Sequence, residues 1–289
     1  MAEKITATEA LQNIENGVRS FRDSDEFKNY LDFAAKFHKY SANNQWWLMW
    51  QAMLRGINPV RFAGYETWQT LGRQVVKDSK AFAVLAPNKY RRKVTDEDGN
   101  ETEVTGMAGF RISNRTFEYS QTEPIPGKAA WEPLEIPRMD DERADGLLQQ
   151  VIELLPLWNL SLSHENTGDA RGWYRPSDRH IALGTNHGLT SVELLSTLIH
   201  EVAHARVRDW GFDGMDRAQE EVVVQSVSYI VCAAYGLDTG AKTFMYVGTW
   251  IDKDFKSFKA ALGAIQKIAD KMIEEIGEVV EQPVEMLAA

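Results

Sequence analysis

An α+β fold in two domains is the expectation from this sequence, and three observations carry it. Charge is the first: of 289 residues, 1–130 hold 18 basic and 16 acidic side chains, a net of +2, whereas 131–289 hold 14 and 26, a net of −12. Such unlike halves read as separate folding units. The second is pattern: helically spaced apolar residues open each half, and short alternating stretches bounded by turn residues interrupt them. The third is a break, because Glu123–Pro137 contains Pro124, Pro126, Pro133 and Pro137 with Gly127, a linker composition. The predicted division is 1–125, helices followed by a small antiparallel sheet, a Pro-rich linker at 126–140, and a second domain at 141–289.

The elements follow in order. Residues 7–39 have helical spacing in two blocks, broken near Asp23-Ser24-Asp25, with Leu31, Phe33, Ala34 and Phe37 on one face. Tyr40–Asn44 reads as a loop and N-cap for a helix over Gln45–Arg55, which Gly56 ends. Val60–Ala63 and Tyr65–Gly72 predict a turn and a short helix. Ala81–Ala86 predicts a strand, Tyr90–Val94 and Glu103–Gly106 flank the turn Asp96-Glu97-Asp98-Gly99-Asn100 as a hairpin, and Gly109–Ser120 predicts a further strand. Beyond the linker, Asp141–Leu155 is an amphipathic helix and Trp173–Leu183 a hairpin around Pro176-Ser177-Asp178. Ser191–Arg208 is a long helix with Ser191 as its cap, followed by helices over Glu220–Tyr235, ended by Gly236, and Phe255–Ile276.

Composition narrows the setting. Cys232 is the single cysteine. It permits no internal disulfide, suits a reducing cytoplasm and, among Ile230, Val231 and Ala233, reads as a buried inert thiol. No apolar run reaches the length of a membrane span, and Met1–Ile5 lacks the layout of a secretory signal. A cytoplasmic location with no membrane partner is expected.

Chemistry concentrates in His200-Glu201-Val202-Ala203-His204. On a helix, residues four apart share a face, so His200 and His204 can bind one Zn²⁺. Glu201 lies beside them as a general base for water acidified by the ion. Two histidines leave the site incomplete, since catalytic zinc usually takes three protein ligands. Trp210 stands where a third histidine six residues on would be, so the donor is sought on the next helix, in Glu220-Glu221. Glu221 heads a stripe of polar and small residues (Gln225, Ser228, Cys232) suited to close approach, and Gln225 could bond a ligand from behind. Glu220 heads a valine stripe (Val223, Val224, Val227, Val231). Glu221 is the favoured ligand, with Glu220 as the alternative. Zinc suits a His₂Glu set, and Mn²⁺ is also admissible. His180 reads as an exposed strand histidine rather than a fourth participant; His164 and His187 have no partner spacing.

The first half carries a different signal. Lys36–Lys93 holds 11 basic and two acidic residues, interleaved with aromatics. Cationic grooves with flat side chains hold single-stranded nucleic acid by backbone neutralisation and base stacking. The candidate contacts are Lys36, Lys39, Asn44, Trp46, Trp47, Arg61, Trp68, Arg73, Lys77, Arg91 and Arg92. Trp46 and Trp50 are four apart, which is core spacing, so half or more of the aromatics are assigned to packing.

Collinear motifs also resemble a known family. Tyr40-Ser41-x-Asn43-Asn44-Gln45, Thr67-Trp68, Leu71-Gly72-Arg73-Gln74-Val75, Leu85-Ala86-Pro87 and Phe117–Thr122 resemble the N-terminal domain of ArdC-type antirestriction proteins. Tyr174–Ser177, His200–His204, the Glu220-Glu221-Val222 helix start and the closing Trp250 and Ala260–Ala269 region resemble the family's second domain. That resemblance implies a single-stranded DNA-binding domain joined to a zincin-like metallopeptidase domain, carried by plasmids or phages to protect incoming DNA. It also implies Glu221 as the third ligand. Gln225 stands where the family has an acid, and Trp46-Trp47 where plainer aliphatic residues are usual. The implied partners are single-stranded DNA and an unidentified protein or peptide substrate. The alternatives are a non-catalytic DNA-coating protein with a relict or structural metal site, and a regulatory metallopeptidase cleaving one specific protein.

Overall fold

The apolar periodicities of the sequence form helices and strands largely in the expected order, and local capping chemistry sets where they end. The computed structural model describes residues 6–18, 24–95, 101–133, 139–211, 215–237, 239 and 247–279. In chain order these form α1 (Ala7–Val18), α2 (Ser24–Lys36), α3 (Ala42–Leu54), β1 (Phe62–Gly64), α4 (Tyr65–Thr70), β2 (Arg73–Val75), β3 (Phe82–Thr95), β4 (Glu101–Glu118) and β5 (Thr122–Pro124). They continue with α5 (Asp141–Leu154), β6 (Ser161–Glu165), β7 (Gly172–Arg175), β8 (His180–Gly184), α6 (Ser191–Asp209), α7 (Arg217–Ala234), α8 (Val247–Lys253) and α9 (Phe255–Val279). The class is α+β, as expected. The chain divides into two compact units, Met1–Val18 with Trp46–Pro133, and Arg19–Gln45 with Leu134–Ala289.

In the first unit an antiparallel sheet runs β1-β4-β3, and β2 pairs with β5. The strands expected separately at 81–86 and 90–94 join into β3, and those at 103–106 and 109–120 into β4, giving one long ribbon. The join works because the register shifts between Pro87 and Lys89. A bulge there tolerates a proline without an N–H, and Gly109 opposite it takes φ +81. The turn expected at 96–100 lies outside the described residues. Under the sheet, Trp68 and Phe82 are fully buried. Buried Glu118 accepts from the amides of Val60 (2.8 Å) and Ser120 (2.7 Å), which fixes the 3-10 turn Tyr119–Gln121.

Residues 126–133, read as linker, pack on this unit. Trp131 N–H donates to Leu71 C=O at 2.8 Å. Arg73 donates to Thr122 Oγ1 (2.8 Å) and Trp131 C=O (3.2 Å), pairs with Glu132 (2.5 Å), and lies 4.4 Å from the Tyr119 ring centroid.

The second unit recruits residues 24–45 from the first half of the sequence. Tyr229 of α7 donates to Asp32 of α2 at 2.5 Å, Phe27 packs on Phe258 of α9, and buried His38 holds Asp270 at 2.7 Å through Nδ1. Its sheet runs β6-β8-β7, with β7 antiparallel to β8 as the hairpin expectation had it. β6 lies parallel to β8, a pairing the sequence reading lacked. Helix α6 packs on this sheet and on α5 and α7, while α9 packs on α7. Gly172 permits the approach of β7 to α6: a Cβ there would sit 2.7 Å from Thr197 Cγ2.

Three helix starts differ from expectation: α3 begins at Ala42 rather than Gln45, and α6 and α7 differ at their caps. Thr190, not Ser191, caps α6 in a reciprocal box with Glu193. Asp216 caps α7 with Gln219, so this helix begins at Arg217 rather than Glu220. No described helix is long and apolar enough to cross a membrane.

At the join of α6 and α9, Arg206 pairs with Glu275 at 3.0 Å, and Trp158 Nε1–H donates to the same carboxylate at 2.9 Å. Removing the shared acceptor leaves a largely buried guanidinium and an indole N–H without it. We expect Glu275→Ala to cost about 2–3 kcal/mol, near the lower end for a broken buried pair. In denaturant unfolding, the double variant with Arg206→Met should lose less than the sum of the two single losses.

Candidate metal centre

Helix α6 carries His200 and His204 one turn apart, with ring centroids 5.1 Å from each other and planes at 82°. Its capping box starts the helix in register, and Leu195, Leu198, Ile199, Val202, Ala203 and Ala205 bury the rest of its girth. Both imidazoles are left facing α7. Glu221 comes to them from α7: its carboxylate oxygens lie 3.8 Å from His200 Nε2 and 3.6 Å from His204 Nε2. All three donor atoms fall within 4.8 Å of one another. The two His–Glu spacings are long for hydrogen bonds but near the roughly 3.4 Å that separates ligand atoms in a tetrahedron about 2.1 Å from an ion. Two imidazole nitrogens and a carboxylate therefore fit a divalent cation by chemistry and by spacing.

Glu221 and Glu220, alternatives in the sequence, do different things. The Glu220 carboxylate lies 3.3 Å from His204 Nδ1, the nitrogen turned away from Glu221. Arg208 Nη2 in turn lies 3.2 Å and 3.3 Å from the two Glu220 oxygens. Neither Glu220 in this role nor Arg208 was anticipated. The available signal was spacing: Arg208 follows His204 by one turn, and Glu220 immediately precedes Glu221. Gln225, expected behind a ligand, is half-buried one turn further along α7. The small-residue stripe beyond Glu221 is buried, Ser228 and Cys232 included.

Glu201 is buried to 7% exposure. Its carboxyl is pushed up to about 7, first by burial and then by the charge of Glu221, while the backbone N–H of Tyr174 on β7 opposes the shift. Edge strand β7 thus reaches the prospective base directly, a contact no motif announced. His180 lies elsewhere: its ring nitrogens are 2.8 Å from Ser161 Oγ and 2.9 Å from Ser163 Oγ, across β8 and β6. His187 Nε2 lies 2.8 Å from Ala170 C=O, and His164 is exposed.

The DNA-contact candidates separate by burial. Trp46, Trp47, Trp68, Arg61 and Arg73 are buried in the first unit; a base has no access to rings that serve as core. Arg61 lies 4.8 Å from the Trp131 ring centroid. Lys36, Lys39 and Asn44 belong to the second unit, where Lys39 lies 3.4 Å from Asp270. Lys77, Arg91 and Arg92 are exposed on the first unit. The rings that this unit leaves open are Tyr65, Tyr90 and Phe110, 48%, 44% and 41% exposed. Tyr90 and Phe110 sit on the long ribbon among its basic residues.

The fold is a two-unit α+β protein in which His200, His204 and Glu221 gather across paired helices. Residues 1–117 match the family model for the N-terminal domain of anti-restriction factor ArdC. An uncharacterized protein of Bacillus anthracis is 22% identical over 306 aligned positions covering 91% of this chain; the chain spans about half (49%) of that relative's length. Crystal structures of the antirestriction protein ArdC from plasmid R388 are also similar. The metal-free form is 22% identical, covering 83% of this chain and 86% of its own, with a TM-score of 0.49. The Mn(II)-bound form is 19% identical, covering 84% and 86%, with a TM-score of 0.47.

The raised Glu201 carboxyl has a measurable consequence in metal-free protein. The folded state holds this proton up to about pH 7, against the ordinary carboxyl value of 4.5. Below 4.5 both states are protonated and folding carries no penalty. Stability falls as pH rises between these values, and the penalty is complete above 7. With chelator present, Glu201→Gln should melt close to wild type near pH 4.5 and above it at pH 8. A gap that does not widen with pH would contradict the burial argument.

Proposed function

We propose that this chain is an antirestriction protein that binds single-stranded DNA through its first unit and hydrolyses peptide bonds in its second, using a divalent metal, with zinc preferred. The observation that carries the hydrolytic reading is the convergence of His200, His204 and Glu221 beside a buried Glu201. A structural site would have no use for a carboxyl tuned toward neutrality next to its ligands. The match of residues 1–117 to the ArdC N-terminal domain supports the DNA-binding side, and the exposed cations of the ribbon agree with it.

Held by His200, His204 and Glu221, the ion would supply a water acidic enough to attack near neutral pH and a Lewis acid for the carbonyl. Glu201 takes the proton of the attacking water on its carboxylate and delivers it to the departing amine nitrogen. The Tyr174 amide orients that carboxylate. The edge strand β7 offers backbone groups along which an extended peptide can lie. Joined to a DNA-binding unit, such a site acts at raised effective concentration on proteins bound to the same strand.

The test uses the full chain. Glu201→Gln should retain zinc at wild-type affinity, keep oligo-dT binding, and lose cleavage of a fluorogenic unfolded protein by about 10²–10⁴-fold; undiminished cleavage would sink the catalytic assignment. For the DNA side, replacing Lys77, Arg91 and Arg92 by Ala should weaken oligo-dT binding and lower the slope of log affinity against log salt by about 2, at roughly 0.7 per phosphate contact. An unchanged slope would remove these side chains from the interface.

A further inference from the structure

We infer that Glu220, held by Arg208, is a positioning residue that sets the tautomer and orientation of His204 for metal binding; the inference rests on the metal reading above. A neutral imidazole carries one proton and ligates only through the nitrogen that lacks it. His204 presents Nε2 toward Glu221 at 3.6 Å and Nδ1 toward Glu220 at 3.3 Å. Both partners are carboxylates, which accept and do not donate, but Glu220 at 3.3 Å is within hydrogen-bond reach and Glu221 at 3.6 Å is beyond it, so the proton belongs on Nδ1 and the lone pair on Nε2, where His200 and Glu221 converge. An N–H···carboxylate bond on the far nitrogen also raises the basicity of the ligating one.

The arrangement is supported from behind. The Glu220 side chain is 18% exposed, and Arg208 brings one nitrogen within 3.3 Å of both its oxygens. Arg208 stands one turn beyond His204 on α6, so helix α6 supplies both the ring and the cation that fixes the ring's acceptor. Glu220 and Glu221 are adjacent, so their side chains diverge by about 100° around α7. One meets the ligating nitrogens and the other meets the back of a ring. The valine stripe that Glu220 heads is buried core, so this carboxylate has little freedom to swing toward the other position.

Two readouts test the assignment apart from catalysis. Zinc affinity is measured by competition with a chromophoric chelator for the full chain and for Glu220→Ala, Glu220→Gln and Glu221→Ala. Glu220→Ala should weaken binding 10–100-fold. Glu220→Gln, which keeps an acceptor oxygen, should recover much of that loss, and Glu221→Ala, which removes a ligand, should lose more than either. Wild-type affinity in Glu220→Ala would overturn the inference while leaving the metal reading intact, and so would a greater loss from Glu220→Ala than from Glu221→Ala. A wild-type chain that binds neither zinc nor manganese would overturn both.

The second readout needs no metal. In ¹⁵N-labelled, chelator-treated protein the His204 ring should show a protonated Nδ1 and an unprotonated Nε2, and Arg208→Gln should shift it toward a mixture. A merely structural Glu220 would leave those resonances unchanged. The wild-type spectrum alone decides the tautomer if Glu220→Ala fails to fold, and a neutral ring with its proton on Nε2 and a bare Nδ1 would overturn the inference.

Discussion

The packing of α7 against α6 is the constraint from which the second unit takes its meaning. One helix supplies two imidazoles and the other two carboxylates, and only one crossing brings all four groups together. The surrounding structure serves that crossing. Thr190 with Glu193 and Asp216 with Gln219 set where the helices begin, and therefore which side chains face inward. The buried valines of α7 and the leucines of α6 set the separation. Arg206, Glu275 and Trp158 tie the far side of α6 to α9 and to the end of α5. A slip of one residue in either helix would rotate its polar groups by about 100° and disperse the cluster, although the hydrophobic contact area would change little. The capping boxes thus contribute to chemistry as much as to stability.

Local chemistry was legible in the sequence where it is written in short spacing. The turn-length separation of His200 and His204, the neighbouring Glu201 and the acids opening the next helix were all readable, because α-helical geometry converts sequence distance into direction. The choice between Glu220 and Glu221 was framed as one ligand and one bystander. The structure gives each a partner, and that needs the relative rotation of α6 and α7, which no single helix encodes. Tyr174 illustrates the same limit. Its contact with Glu201 is made by a backbone amide, and a backbone amide has no residue type to read.

Aromatic residues in the first half misled for a related reason. Trp46, Trp47 and Trp68 sit among basic residues along the chain, which is the pattern of a stacking surface, but proximity in sequence did not predict their direction. Large rings are the most effective way for a small unit to bury apolar area, and these three were used for that purpose. Tyr90 and Phe110 stay open because they lie on a two-stranded ribbon. Ribbons have a second face with nothing to cover it. The ribbon is longer than the separate strands expected from the sequence because the bulge between Pro87 and Lys89 carries the pairing past the proline.

The order in which the units draw on the chain has a consequence for its birth. Residues 19–45 belong to the unit otherwise built from 134–289, and they interrupt the one built from 1–18 and 46–133. On the ribosome, α2 therefore emerges long before α7, on which it packs, and α9, whose Phe258 meets Phe27. Helix α2 must wait with its apolar face uncovered until nearly the whole polypeptide has been synthesised. This late docking is made on α7, the helix that carries Glu220 and Glu221.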